Sequence, residues 1–403
     1  MGFGSNDISS SIVGVALMIL LAISFAIVVW YIFQPALLAS RSTAYSLNKK
    51  KLDDADDYFE EVSFKSSHGD SDGSNSISSL HLLSLVIPAY NEEERLPSML
   101  DETIIFLQEK GQLIAEALTL REKEVCNNSH SIPSQTMYSF EIIVVDDGST
   151  DRTSLVAADV FENIRANEQH QNRKLQSSSN SIDKFETKIK FRIIQLKRNR
   201  GKGAAVKIGM LHSNAEYVLM VDADGATDIN ALIPLSKEMN ATLHSSKNNA
   251  YSGTCKGKSS TREKTYAVAV GSRAHLAEES TAKRTLIRSI LMHAFHFFVK
   301  TLCSASINDT QCGFKLFTRD AAILLFSTLH LERWAFDIEI ITLAEKLSIP
   351  MIETGVNWQE IDGSKLDTSK IALLVASVNM LRDMVCVNLC YSFGIWKLPK
   401  LRS

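Results

Sequence analysis

Proline and glycine are sparse in this 403-residue chain, at 7 and 18 residues, which excludes a collagen-like or wholly disordered polymer. An excess of one charge is also missing. There are 43 Lys+Arg against 46 Asp+Glu, a formal net charge of −3, and the pI is about 6.4. A general nucleic-acid binder would be strongly basic, so no nucleic-acid partner is expected. The six cysteines (Cys126, Cys255, Cys303, Cys312, Cys386 and Cys390) contain no CxxC pair and no even framework. That argues against a disulfide scaffold or zinc site and for reduced, intracellular thiols. No internal repeat is present. What remains, 45% hydrophobic and 22% charged, suits one large globular domain or two medium ones.

Charge is absent altogether from residues 11–33, which as a helix would reach about 35 Å, enough to cross a bilayer. A cleaved signal peptide fits less well: the apolar run is too long, residues 1–10 hold no Lys or Arg, and no small-x-small site follows. Only Asp7 precedes the run, whereas Arg41, Lys49, Lys50 and Lys51 follow it. The positive-inside rule then leaves 1–10 lumenal and the bulk of the chain cytoplasmic. There the sequons at Asn127, Asn240 and Asn308 would be silent.

Residues 34–80 carry an acidic patch (Asp53, Asp54, Asp56, Asp57, Glu60, Glu61) and then a Ser/Gly/Asp-rich stretch, predicting a polar linker that buries no core. From 81 to 360 apolar runs alternate with helical stretches: LLSLVIPAY, FEIIVVDD, FRIIQLKR and YVLMVDAD each precede a helical pattern. Four β-then-α units predict an α/β domain with a mainly parallel sheet flanked by helices. Polar inserts near 121–138, 165–188 and 243–264 read as surface loops. Residues 285–303, with Arg288, His293, His296 and Lys300, and the C-terminal segment 361–403 are strongly apolar. Both suit interfacial helices facing a lipid bilayer, and a buried core helix would look similar.

Ligands of open α/β sheets sit beyond the carboxyl ends of the strands. There the runs end in Pro88-Ala89-Tyr90-Asn91-Glu92, Asp146-Asp147-Gly148-Ser149 and Asp222-Ala223-Asp224-Gly225. Each alone is also a good turn or helix cap. Three acidic ends together would repel unless a cation or bound hydroxyls compensate. Asp222 and Asp224, two apart at a strand end, can hold one Mg²⁺ or Mn²⁺ that neutralises a leaving nucleoside diphosphate. Arg200-Gly201-Lys202-Gly203 is neither a Walker loop nor a dinucleotide fingerprint. It predicts a helix from Gly203 to Leu211 with Lys202 as a nearby counter-charge.

VIPAYNEEERL, VVDDGSTDRT, NRGKGAAVKIGM and VDADGATD resemble the inverting family-2 glycosyltransferases with the GT-A fold. DTQCGFKLF at 309–317, ERWAFDIE at 332–339, NWQEIDGSKL at 357–366 and a single N-terminal anchor resemble, within that family, the eukaryotic dolichyl-phosphate glucosyltransferases. The resemblance implies transfer of glucose from UDP-glucose to dolichyl phosphate, on the cytoplasmic face of the endoplasmic reticulum membrane and in support of protein N-glycosylation. It implies donor binding by Pro88, Ala89, Tyr90, Glu92, Asp147, Gly148, Lys202, Asp222 and Ala223, with Asp222 and Asp224 as metal ligands. Related mannosyltransferases carry a Gln ligand where this chain has Ala226, which leaves the third protein ligand open. The alternatives are a dolichyl- or polyprenyl-phosphate mannosyltransferase using GDP-mannose, and an inactive membrane-tethered binding module.

A phosphate monoester has a second pKa near 6 and is already largely a dianion at neutral pH, so this acceptor needs no strong general base. It needs cations that hold it in line with the anomeric carbon. Arg273, Arg288 and Lys315 are the candidates. Asp309 is expected to orient the acceptor loop or the sugar. Asp337 and Glu339 stand where sugar-accepting relatives keep a base, or are carboxylates at a helix start. Trp334 stacks on a sugar or fills core.

Overall fold

The structure, a computed structural model, describes residues 23–39, 59–64, 81–119, 138–176, 187–250, 264–274, 300–301, 306–361 and 370–400. Its strands are β1 (Phe59–Phe64), β2 (His81–Ala89), β3 (Ser139–Asp146), β4 (Lys188–Leu196), β5 (Ala215–Met220), β6 (Val268–Ser272), β7 (Lys315–Thr318) and β8 (Met351–Gly355). Its helices are α1 (23–39), α2 (Leu96–Thr119), α3 (Thr153–Gln176), α4 (Lys202–His212), α5 (Leu232–Ala250), α6 (Arg319–Thr328), α7 (Phe336–Lys346) and α8 (Lys370–Ser392). The four expected β-then-α units are all present. The helices after β3 and β5 run to Gln176 and Ala250, into stretches whose composition predicts loops.

The described strands form one sheet in the order β1-β4-β3-β2-β5-β7-β6-β8. β2 pairs in parallel with β3 and β5, β3 with β4, and β6 with β8. β7 runs antiparallel between β5 and β6. The carboxyl ends of β2 to β6 and of β8 therefore share one edge with the amino end of β7, which brings Lys315 to the ends that carry the acidic motifs. β1 corrects the linker reading. Residues 59–64 are an edge strand antiparallel to β4, tied down by Glu61 accepting from Arg192 Nε at 2.7 Å. Behind that pair Arg192 also donates to Glu141 Oε1 at 2.9 Å, and Glu141 Oε2 accepts from Ser84 Oγ at 2.6 Å.

The pleat sorts β2 between two cores. Leu83, Leu85 and Ile87 pack with α2 and α5 on one face, and Val86 packs with α4, α6 and α7 on the other. Each such Leu or Ile contributes about 1.5–3 kcal/mol on burial. The second core also includes Ala36 and Ala39 of α1 beside Cys386, Val387 and Cys390 of α8. Tyr31 Oη donates to Asn379 Oδ1 at 3.0 Å, Arg382 Nη1 donates to Gln34 Oε1 at 3.1 Å, and the Arg382 guanidinium lies 5.1 Å from the Tyr31 ring centre. Outward, Phe25 and Phe393 are 71% and 72% exposed, with Trp30, Val375 and Ile395 also open. Among the described residues no helix is long and apolar enough to cross a membrane. Residues 11–22 of the expected anchor, most of the 285–303 segment, Arg288, His293 and His296 lie outside the described residues.

Candidate active site

The turns after β2 and β3 are laced together. Asn91 adopts a left-handed φ of 54°. Its N–H donates to Ser149 Oγ at 2.9 Å, and its side-chain Oδ1 accepts from Thr150 N at 2.8 Å. Glu92 N donates to Thr153 Oγ1 at 2.7 Å, and Glu93 Oε2 accepts from Arg152 N at 2.7 Å. Asp151 Oδ1 accepts from Thr153 N at 3.0 Å, in the capping role its turn-like sequence predicts. Glu92, expected to face the donor, forms a forked ion pair with Arg95 at 2.6 Å. It shapes the turn that presents Tyr90 and Asn91.

Asp147 binds the start of α4. Its two carboxylate oxygens each accept one backbone N–H, from Arg200 and from Gly201, both at 2.8 Å. Burial pushes its carboxyl above the ordinary value, although these two amides pull the other way. Gly148 makes the approach possible. Its φ is +68°, and a Cβ there would meet the Arg198 carbonyl carbon at 2.5 Å. The basic Arg200-Gly201-Lys202 turn is thus seated on the acidic turn after β3.

At the end of β5, Asp222 forms an ion pair with Lys202 Nζ at 2.6 Å. Burial would raise the Asp222 carboxyl, but Lys202, with Lys315 and Arg273 beyond it, holds it below the usual range. Burial would likewise lower the Lys202 ammonium, yet Asp222, Asp337 and Asp224 keep it above its ordinary value. The carboxylate lies against Gly313, where a Cβ would stand 2.0 Å from Asp222 Oδ2. Asp222 Oδ1 is turned inward and is the oxygen that faces Lys202. Asp224 Oδ1 accepts from Ala226 N at 3.0 Å. Beyond it the 226–228 segment pairs with 357–359 through Gln359 N to Ala226 O and Asp228 N to Asn357 O, at 2.9 and 3.0 Å. An oxygen-ligated divalent cation suits the Asp222/Asp224 set, a pair of hard carboxylate donors. Among the described residues no group of three or more His, Cys, Asp or Glu could hold a metal.

Arg273, just past β6, is gripped by Asp309: its backbone N, Nε and Nη2 donate to that carboxylate at 3.0, 2.7 and 2.9 Å. Asp309 thereby orients Arg273, and Glu353 of β8 fixes Asp309 by accepting its N–H at 2.9 Å. The guanidinium lies 5.6 Å from the Trp358 ring centre, and the side chain keeps 32% of its surface open. Lys315 differs from expectation. It is 1% exposed, donates to the Cys312 carbonyl at 2.6 Å and is paired with Asp337. Its charge reaches Asp222 through space, while its ammonium is committed inward.

Asp337 and Glu339 prove to have different tasks. On a helix, residues two apart point about 200° away from each other. Asp337 faces Lys315, and burial raises its carboxyl although Lys315 and Lys202 pull it down. Glu339 is wholly buried and accepts from His330 N, Leu331 N and Tyr391 Oη at 3.0, 2.7 and 2.8 Å. Its partners are His330, Leu331 and Tyr391, and it serves as an internal tie. Trp334 is 61% exposed, which rules out a core role, and its ring centre lies 5.8 Å from Lys202 Nζ. Two participants escape sequence reading. Glu332 receives Arg200 Nη2 at 2.9 Å, and Gly313 makes room for Asp222. The charge of Glu332 beside Trp334 was a visible signal, whereas Gly313 matters only through a contact far apart in sequence.

Comparison with known proteins gives the family. The family model described as glycosyl transferase family 2 matches residues 119–182 and 176–323. The dolichyl-phosphate beta-glucosyltransferase of Dictyostelium discoideum is 42% identical over 320 residues, covering 78% of this chain and 76% of its own. The Homo sapiens protein of the same name is 38% identical over 321 residues, covering 80% and 79%. Among solved structures, glucosyl-3-phosphoglycerate synthase from Mycobacterium tuberculosis in complex with UDP aligns at 14% identity and a TM-score of 0.37, over 76% of this chain and 80% of that one. That last likeness is too loose to carry any argument about the site.

Proposed function

The chain belongs to glycosyl transferase family 2 as a member of its dolichyl-phosphate beta-glucosyltransferases, and from that premise we infer that it transfers glucose to dolichyl phosphate, with UDP-glucose as donor and inversion at the anomeric carbon. The observation that carries this reading is the Asp222 carboxylate just past β5, paired with Lys202 at 2.6 Å and followed two residues on by Asp224. Around it the Asp147-anchored Arg200-Gly201-Lys202 turn and the Pro88 to Glu92 segment stand at the carboxyl edge of the sheet.

An acceptor phosphate oxygen forms the new bond to the sugar, the bond from the anomeric carbon to the donor diphosphate breaks, and UDP leaves with that electron pair. A Mg²⁺ or Mn²⁺ held by Asp222 and Asp224 would supply positive charge for the leaving diphosphate. Lys202 adds a fixed cation on the same side. Arg273, pre-oriented by Asp309 and only partly covered, is suited to hold the acceptor phosphate, because a guanidinium already aimed by a carboxylate loses little further freedom on binding. No general base is required of a phosphate dianion. This accords with Glu339 being spent on structure and Asp337 on Lys315. The open face of Trp334 beside Lys202 is suited to stack on the sugar.

We place the reaction at the cytoplasmic face of the endoplasmic reticulum membrane, serving N-glycosylation. Support comes from the uncharged 11–33 run with cations after it, and from the exposed apolar side chains of α1, α8 and residues 393–395. The test is a donor assay on the full chain in detergent or microsomes with dolichyl phosphate and labelled nucleotide sugars. Glucolipid formed from UDP-glucose is expected. Label entering lipid only from GDP-mannose would overturn the donor assignment, and failure to use either donor would favour an inactive tethered module.

A further inference from the structure

The segment between α6 and α7, residues 329–335, carries Glu332 and Trp334 to the Arg200-Gly201-Lys202 turn, and its attachments run in two directions. Toward that turn, Glu332 Oε1 accepts from Arg200 Nη2 at 2.9 Å, the Glu332 carbonyl accepts from Ala204 N at 2.9 Å, and Trp334 lies over Lys202. Away from it, the segment is fastened to buried groups. Lys207 Nζ donates to the Leu329 carbonyl at 2.7 Å, and Glu339 gathers the His330 and Leu331 amides.

Glu339 is also where the C-terminal segment enters. Tyr391, near the end of α8, donates its hydroxyl to Glu339 Oε1 at 2.8 Å. His330 Nδ1 meets the same oxygen at 2.9 Å. The His330 ring stacks on Trp396, with centroids 4.2 Å apart and planes 3° from parallel, and Tyr391 meets Trp396 edge-on at 5.3 Å. Trp396 is buried between exposed Phe393, Ile395 and Leu398. One carboxylate thus receives donors from both the donor-side segment and the last helix. Such shared buried acceptors are costly to leave half-satisfied.

We propose that Tyr391 and Trp396 are positioning residues for the donor site: by closing on Glu339 and His330 they hold residues 330–335 so that Glu332 and Trp334 meet Arg200 and Lys202, which makes donor binding depend on the seating of the C-terminal segment. The kinetic part rests on the glucosyl-transfer reading above; the mechanical part does not. The chain of contacts runs from Tyr391 to Glu339, then through the 330–331 amides to Glu332 and Arg200, with no group that must titrate or react.

The experiment compares the full-length protein with Tyr391→Phe, which keeps the ring and removes one hydroxyl, and with Trp396→Ala, which removes the stack. Amide hydrogen exchange is measured at 329–336, at 200–204 and, as a control, in β2 and β3. KM is measured separately for UDP-glucose and dolichyl phosphate. Faster exchange at 329–336 and 200–204 with unchanged β2 and β3 is expected. With it, the donor KM should rise at least fivefold while the KM for dolichyl phosphate changes less than twofold. Unchanged exchange at 329–336 in both variants would overturn the tie. So would equal weakening toward both substrates alongside faster exchange throughout the sheet, the pattern of general destabilisation. If the wild-type protein fails to use UDP-glucose, the functional reading falls, and the exchange comparison still decides the tie.

Discussion

At the scale of single residues, the site depends on two glycines and a carboxylate. Gly313→Ala would put a methyl group 2.0 Å from Asp222 Oδ2, so the carboxylate must move. A displacement of about 1 Å at a reacting centre can cost about 10²-fold in rate, and kcat/KM of that variant is expected to fall by about that factor. Asp222→Asn, which keeps the volume and removes the charge, is expected to lose about 10²-fold or more in kcat, read by the glucolipid assay. Gly148→Ala faces both a φ of +68° and the Arg198 backbone. It should lower stability by about 1–3 kcal/mol in urea unfolding. The placement of Asp147, Lys202, Asp222, Asp224, Arg273 and Asp309 was legible in sequence because each lies at or just beyond the end of an apolar run or in a compact motif. The inward commitment of Lys315 was not, since only the pairing of β7 between β5 and β6 and the position of α7 reveal that Asp337 meets it.

At the scale of elements, alternating apolar runs and helical patterns were enough to place β2 to β5 and the helices that follow them. β1 was hidden because FEEVSF carries two glutamates in an acidic stretch. Charged side chains are a common means of blunting an exposed strand edge, so the feature that disguised the strand also suits it to its place. Its hold on the sheet is unequal across the ion network. Arg192 serves the buried Glu141 as well as the partly open Glu61. Arg192→Met would leave Glu141 uncompensated and should cost about 3–5 kcal/mol. Glu61→Gln should cost no more than about 1 kcal/mol. Equal losses in urea unfolding would contradict this ranking. In α7 the motif's two acids could not be separated by composition, and the helical period does it: one turns to Lys315 and the other to the 330–331 amides.

At the scale of the whole molecule, protonation of the half-buried His81 is expected to weaken the fold in acid. His81 donates to or accepts from Ser139 Oγ at 2.9 Å, and burial lowers its pKa below 6.5 although Glu141 pulls it up. A depressed histidine pKa gives stability that is fully present above 6.5 and is lost as pH falls from there through the folded-state value. The thermal midpoint is therefore expected to drop between pH 7 and pH 5, and His81→Asn should drop less over the same interval. The near-neutral net charge of −3 conceals a partition: buried carboxylates paired with Arg192 and Lys315, a half-buried one paired with Lys202, and apolar side chains left outside. The pairing of α1 with α8 bears on how the chain is made. Tyr31 and Asn379 are 348 positions apart, and at roughly 5–20 residues per second a ribosome needs on the order of half a minute to cover that distance. Throughout that interval the first helix has emerged and its partner does not yet exist, so the sheet is synthesised before the two ends can clasp, and α1 needs some other cover while it waits.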